Sequence, residues 1–110
     1  MAAKPYTDEE LKEREQRLIS DLKKLEGGWI PTLSDLDDAP FLDCWTVHID
    51  GPGLMYFAGE CVGHPRIRDG YMTTSYVVAG SIEDGWIRTA SRFFRIGQRL
   101  EETLTPAMRH

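Results

Sequence analysis

Residue types that could carry out chemistry concentrate in one short run of the chain, 62-VGHPRIRDGYMTTS-75. This run supplies His64, Asp69 and Ser75, the three residue types of a nucleophilic triad. The nucleophile elbow G-x-S-x-G that positions such a serine does not occur in the sequence. The run also lacks the glycine density and the following helix of a phosphate-binding loop. The candidate functions are protein binding, nucleic-acid binding and hydrolysis. A small hydrolase around His64 is the least favoured of the three, and we assign no catalytic residue.

The same run is also typical of a turn between two strands. Gly63 and Pro65 bend the chain, and Asp69-Gly70 is a favoured turn pair. Short polar side chains at such a turn form hydrogen bonds with backbone groups. We predict this structural role for His64, Asp69, Thr74 and Ser75.

Two cysteines and two histidines follow the pattern C-x3-H-x12-C-x2-H, formed by Cys44, His48, Cys61 and His64. Cys44 and His48 lie four residues apart on a predicted strand, so their Cα atoms are about 13 Å apart. Zinc–ligand distances of about 2.0–2.3 Å leave little chance that both side chains reach one ion. The sequence therefore predicts no metal site and no cofactor, with both thiols free.

Charge divides the later part of the chain into two segments. Residues 25–65 contain acidic side chains and no Lys or Arg, whereas the basic residues of 66–99 are all arginines. We define an acidic edge as Asp35, Asp37, Asp38 and Asp43, and a basic edge as Arg88, Arg92, Arg95 and Arg99. Either edge could bind a protein partner, or the two could neutralise each other within the fold. The basic edge, interleaved with Trp86, Phe93 and Phe94, could instead bind nucleic acid by stacking.

The net charge of −5 weakens the hypothesis of nucleic-acid binding, because non-specific affinity grows with the number of phosphates neutralised. It leaves a protein partner as the favoured interpretation.

Local patterns predict the elements that must position these residues. Thr7 and Glu10 form a capping box, an apolar stripe follows at helical spacing, and Gly27-Gly28 ends a helix over residues 7–26. A short helical turn is predicted over 32–38. Residues 42–97 read as four or five antiparallel strands in a meander, with a flexible tail over 98–110. The prediction is one α+β domain over 1–110, whose sheet could curl into a small SH3-like or partly open barrel.

The chain of 110 residues has no apolar run long enough to span a membrane, and its first residues, MAAKPYTDEE, lack the basic-then-apolar layout of a signal peptide. We therefore expect a cytoplasmic protein with no membrane association. A small meander leaves an edge strand open, so a monomer or a homodimer is expected.

Three runs together resemble small uncharacterised bacterial and prophage proteins: 63-GHPRIRDGYMTTS-75, 85-GWIRTASRFFRIG-97 and 31-PTLSDLDDAPFLDCW-45. The shared pattern is G-H-P-x(3)-D-G-x(2)-T-T-S followed by W-x-R-T-x-S-x(2)-Y/F-x-L/I-G, and it covers about residues 31–97. The resemblance implies no catalytic residue. It implies a small protein of phage or mobile-element origin that binds and inhibits a host machine, in the manner of anti-CRISPR proteins. The expected function is therefore non-enzymatic protein binding.

Overall fold

The computed structural model describes residues 5–103, in which one long helix precedes six strands and a short helix. Helix α1 spans Asp8–Glu26. The strands are β1 (Phe41–Ile49), β2 (Met55–Val62), β3 (Gly70–Thr73), β4 (Val77–Ser81), β5 (Trp86–Thr89) and β6 (Phe93–Ile96). Helix α2 (Leu100–Thr103) follows the last strand, within the segment predicted to be a flexible tail. The remainder of that tail, 104–110, lies outside the described residues.

Helix α1 begins where the capping box predicts. The Thr7 hydroxyl accepts a hydrogen bond from the Glu10 N–H at 3.1 Å, and the Glu10 carboxylate accepts one from the Thr7 N–H at 2.9 Å. The predicted N-terminal helix is thus confirmed. None of its side chains is fully buried, and Leu11 and Ile19 are exposed. Within residues 5–103, no helix is both long enough and apolar enough to cross a membrane.

The six strands form one mixed sheet in the order β3-β2-β1-β6-β5-β4. All neighbours are antiparallel except β1 and β6, which are parallel and pair Phe41 with Arg95 and Leu42 with Ile96. The α+β class is confirmed, but the prediction of a four- or five-stranded antiparallel meander is wrong. Residues 72–79, which within the predicted meander read as one continuous strand, divide between β3 and β4. Thr74 causes the break, because its hydroxyl and not its backbone carbonyl accepts the Phe57 N–H, at 3.0 Å.

The two edge strands, β3 and β4, are joined by residues 74–76 alone. Five strand spacings in a flat sheet would put these edges roughly 24 Å apart. The four peptide units from Thr73 to Val77 reach only about 14 Å. The sheet must therefore curl strongly. It does not close into a barrel, because no ladder joins β4 to β2 or β3 among the residues described.

The inner face of the curled sheet holds the core. Trp45 stacks on Phe57 with ring centroids 4.9 Å apart, and Trp45 Nε1 donates to the Gly97 carbonyl. The buried apolar residues of this cluster are Leu42, Trp45, Phe57, Cys61, Met72, Ile87, Phe94 and Ile96. On the outer face, Phe93 meets Trp29 and Trp86 edge to face, which covers β5 and β6 beside α1.

Two local features depart from simple strand and helix geometry. Strand β1 has a bulge between Asp43 and Thr46, where Cys44 has a φ of 49°. The segment expected to be a short helical turn, 32–38, forms consecutive turns, with the Leu36 and Asp37 N–H groups bonded to carbonyls three or four residues back. The carboxylate of Asp35 accepts hydrogen bonds from the Thr32 N–H and hydroxyl, which fixes this local conformation.

Candidate functional site

His64 lies at the end of β2 with its ring held by backbone groups. Its Nδ1 accepts hydrogen bonds from the N–H groups of Arg66, at 3.0 Å, and Ile67, at 3.2 Å. The neutral ring therefore carries its proton on Nε2. Burial, helped by the nearby Arg92 and Arg66 charges, lowers the pKa of His64 to about 4. Because its lone pair is already engaged, this imidazole is poorly suited to accept a proton as a general base at neutral pH.

The other residue types of the triad lie near His64 but are occupied elsewhere. Asp69 Oδ1 accepts the Gly63 N–H at 2.9 Å, and Ser75 Oγ bonds with Ser91 Oγ at 2.9 Å. Thr74 accepts the Phe57 N–H and donates to the Ser75 carbonyl. A cavity of about 190 Å³ does lie beside His64, with Ser75 and Ser91 in its wall. These hydrogen bonds do not form a chain from nucleophile to base.

The cysteines and histidines of the suspected metal pattern are also separated. His48 stacks on Tyr56 and shares a hydrogen bond with Thr46, whereas Cys61 is buried in the core. Burial, together with the nearby Asp69 charge, raises the pKa of Cys61. Across residues 5–103, no group of three or more His, Cys, Asp or Glu side chains is placed to hold a metal ion.

The four arginines of the basic edge face different neighbours. Arg88 is 1% exposed, and its Nε donates to Asp21 Oδ2 at 3.0 Å. Arg92 donates to the Tyr6 hydroxyl at 3.2 Å, and Arg95 donates to the Ala39 carbonyl at 3.0 Å. Arg99 is exposed and lies over the Trp45 ring. The described contacts therefore separate these four cations. Two face α1 or the residues just before it, one faces the segment before β1, and one faces solvent.

Structural bonds likewise engage half of the acidic edge. The Thr32 backbone and hydroxyl lower the pKa of Asp35, and Asp43 Oδ1 accepts the Gln98 N–H at 2.9 Å. Asp37 and Asp38 are exposed. Two of the later arginines do form ion pairs, Arg66 with Glu10 and Arg88 with Asp21. Both of these acids belong to α1, not to the acidic edge.

The open side of the sheet presents a concave surface that sequence reasoning did not identify. An apolar groove of about 440 Å³ lies between β4 and the first half of β2. Its floor and walls are formed by Val47, Met55, Phe57, Val77, Ala79 and Ile87. Its volume is in the range of pockets that bind ligands. We call this feature the groove.

Backbone groups of β2 are directed towards the groove. Both the N–H and the C=O of Phe57 bond with Thr74, on the side of β2 away from β1. Residues two apart on a strand direct their backbone groups to the same side. The N–H and C=O of Met55 therefore also face away from β1. Among residues 5–103, no strand lies beside β2 there, because β3 pairs only with Ala58–Cys61.

Strand β4 faces the groove with its other edge. The Thr89 N–H bonds to Arg92, and the Ile96 N–H bonds to the Gly85 carbonyl, so odd-numbered β5 residues bond towards β6. Gly80 is paired with one of these odd residues, Ile87. The alternation of an antiparallel ladder then directs the Gly80 N–H and C=O away from β5. The open edge of β4 runs alongside the groove.

Exposed apolar side chains border the same open edge. Tyr76, Val78 and Ile82 are 40%, 43% and 56% exposed, and Val78 and Ile82 also line the groove. Clustered exposed apolar surface beside a groove is typical of a binding site. The sequence does carry a signal for it, because residues 71–82 contain no charged side chain. From the sequence alone, this uncharged run is typical of a central strand. In the structure the chain breaks at Thr74, and β4 lies at an edge of the sheet.

Comparison with known proteins yields one family. A family model described as "Family of unknown function (DUF6634)" matches residues 16–108, which include all six strands and half of α1. No curated protein and no solved structure matches the chain.

Proposed function

We propose that this chain, which belongs to the DUF6634 family of unknown function, is a small non-enzymatic protein that acts by binding another protein. The observation that supports this best is the groove, which lies beside an unpaired strand edge and is bordered by exposed Val78 and Ile82. Apolar side chains in such a setting are stabilised when a partner covers them.

The alternatives receive less support from the same contacts. Enzymatic use of His64 would require it to release two backbone hydrogen bonds. Nucleic-acid binding through all four arginines of the basic edge would require Arg88 to leave the interior, where it is paired with Asp21. Protein binding through the groove requires neither change.

The finer parts of the proposal come from the sequence. The resemblance of residues 31–97 to prophage proteins makes a bacterial host machine the first class of partner to test. The protein would then be an inhibitor acting in the cytoplasm. Asp37 and Asp38, which are exposed members of the acidic edge, are a second surface that such a partner could contact.

Affinity capture from host lysate, with and without nuclease, tests the proposal. The wild-type chain is compared with the double variant Val78→Asp/Ile82→Asp and with the control Leu33→Asp. Leu33 is 82% exposed and lies before β1, outside the groove. We expect a protein partner that survives nuclease treatment, at least a tenfold loss of capture for the double variant, and no change for Leu33→Asp.

Two results would overturn the proposal. Loss of every captured partner after nuclease treatment would favour nucleic-acid binding instead. Equal capture by all three proteins would show that the groove is not the binding surface, and Asp37→Lys/Asp38→Lys would then test the acidic edge. Circular dichroism of each variant establishes that the fold is retained.

A further inference from the structure

We propose that the groove accepts an extended segment of the partner protein, which adds to the sheet as a strand beside β4. The segment would carry apolar side chains at alternate positions and Lys or Arg at its ends. This inference rests on the proposed function, because it specifies the chemistry of the partner at the same site.

Unpaired backbone groups are the first argument. The N–H and C=O of Met55 and of Gly80 face the groove from its two sides, and no ladder joins these strands within residues 5–103. An added strand would satisfy such groups, as in recognition by β-strand addition. The register shift between Val77 and Ala79 interrupts β4 at Val78, so we expect pairing along Ala79–Ser81.

The lining of the groove is the second argument. Met55 and Phe57 lie on one side, Val77 and Ala79 on the other, and Val47 and Ile87 at the base. A strand placed there points every second side chain inward. Inward side chains would meet apolar atoms, whereas the intervening ones would face solvent. Alternating apolar residues are therefore the pattern that the groove would select.

Charge is the third argument, and it determines the ends of the segment. Residues 46–62 and 76–87, which supply the lining, contain no Lys or Arg. Glu83 lines the groove, Asp84 follows it, and Asp50 accepts a hydrogen bond from the Tyr76 hydroxyl beside β4. A segment with basic ends is complementary to these carboxylates, which would speed its association and favour it over acidic segments.

Selection from a random library of displayed ten-residue peptides tests the proposal even though the partner is unidentified. We expect enriched sequences with apolar residues at alternate positions and Lys or Arg at one end or both. The strongest peptide is then synthesised, and its dissociation constant is measured by fluorescence polarisation. Glu83→Lys/Asp84→Lys should weaken binding at least tenfold. The control Glu15→Lys/Glu26→Lys makes the same change in net charge at exposed positions of α1 outside the groove, and it should weaken binding less than twofold.

Hydrogen exchange measured by NMR tests the strand geometry directly. In the complex, the amides of Met55 and Gly80 should exchange at least tenfold more slowly than in the free protein. Exchange at Tyr71, on the other edge strand, should not change. Both amides are measured in the wild-type chain, so the result does not depend on whether any variant folds.

The outcomes separate this inference from the proposed function. A peptide or captured protein that binds without slowing exchange at Met55 and Gly80 would overturn strand addition while leaving protein binding intact. Enriched peptides without alternation, or with acidic ends, would also overturn it. Slowed exchange at both amides in the free protein at high concentration would assign the groove to a second copy. If removal of residues 104–110 abolished this slowed exchange, the groove would be assigned to those residues of the same chain.

Discussion

Arg88 carries a positive charge into the interior, between the sheet and α1. Its guanidinium pairs with Asp21, donates to the Thr89 carbonyl and lies over the Phe93 ring. Burial lowers the pKa of Arg88, and the Asp21 charge opposes that shift. A buried ion is costly unless its partner stays in place. The pair therefore fixes where α1 sits on the outer face of the sheet.

Removing either member of the pair should have unequal effects. Asp21→Ala leaves the Arg88 charge buried and unpaired, so we expect a loss of about 3 kcal/mol in the free energy of unfolding. Arg88→Met leaves Asp21, whose side chain is 22% exposed and can be hydrated, and should cost less than about 2 kcal/mol. Urea denaturation measures both. A larger loss for Arg88→Met than for Asp21→Ala would contradict this account.

His64 should make stability depend on pH. Its pKa is about 4 in the folded chain, against about 6.5 when unfolded, so the unfolded state binds more protons between these values. The stabilisation is complete above pH 6.5 and is lost as the pH falls to 4. The expected loss is at most about 3 kcal/mol.

Urea denaturation at about pH 7 and about pH 4.5 checks this prediction. The matched variant is His64→Asn, whose amide oxygen can accept the same backbone N–H groups without titrating. It should show a smaller decrease in stability than the wild-type chain. An equal decrease in both proteins would mean that other groups carry the pH dependence.

At the scale of elements, the bulge in β1 depends on a glycine in the neighbouring strand. A Cβ at Gly59 would lie 2.6 Å from the Asp43 carbonyl oxygen and 3.0 Å from the Trp45 Cα. Both are backbone atoms of the bulge and cannot move aside easily. The close approach of β1 and β2 at this point therefore makes any side chain at position 59 destabilising.

Gly59→Ala should lower the free energy of unfolding by about 2–3 kcal/mol, because it forces the two strands apart. Gly27→Ala is the control, since its Cβ would meet only carbonyl oxygens at 3.4 Å or more and its φ is negative. That change should stay within about 0.5 kcal/mol. Thermal denaturation compares the two variants. Similar losses would indicate that the bulge tolerates expansion.

Local signals and tertiary contacts explain which elements can be predicted from the sequence. Helix α1 is predictable because its cap and its apolar spacing are local features of residues 7–26. The division of 72–79 is not, because it depends on Thr74 meeting Phe57, which lies 17 residues earlier. The parallel pairing of β1 with β6 has no local signature either, since each strand alone satisfies an antiparallel pattern.

At the scale of the whole molecule, the open sheet should have uneven local stability. Strands β1, β5 and β6 have neighbours on both sides, whereas β3 and β4 are edges. Amides that face solvent or open with little loss of contact exchange fastest. We expect Met55 and Gly80 to exchange at least a hundredfold faster than Ile87 and Phe94 in the free protein. Comparable protection would indicate that the open edges are already paired.

The candidate site is hidden from sequence reasoning for a related reason. Sequence reasoning selects residues with reactive or charged side chains, such as His64 and Arg88. In the structure these side chains are engaged by internal hydrogen bonds. The groove is formed by ordinary apolar residues from four strands. Val47 and Ala79 become parts of one surface only when the curl of the sheet is known.

The parallel contact of β1 with β6 also bears on how the chain folds. It joins two units, β1-β2-β3 and β4-β5-β6, each built from antiparallel pairs between consecutive strands. The bond between Trp45 and Gly97 spans 52 residues, so this seam requires a large loop closure. If each unit forms early, joining them limits the rate of folding. Substitutions at Leu42 or Ile96 would then mainly slow folding, because the seam between the units forms in the transition state.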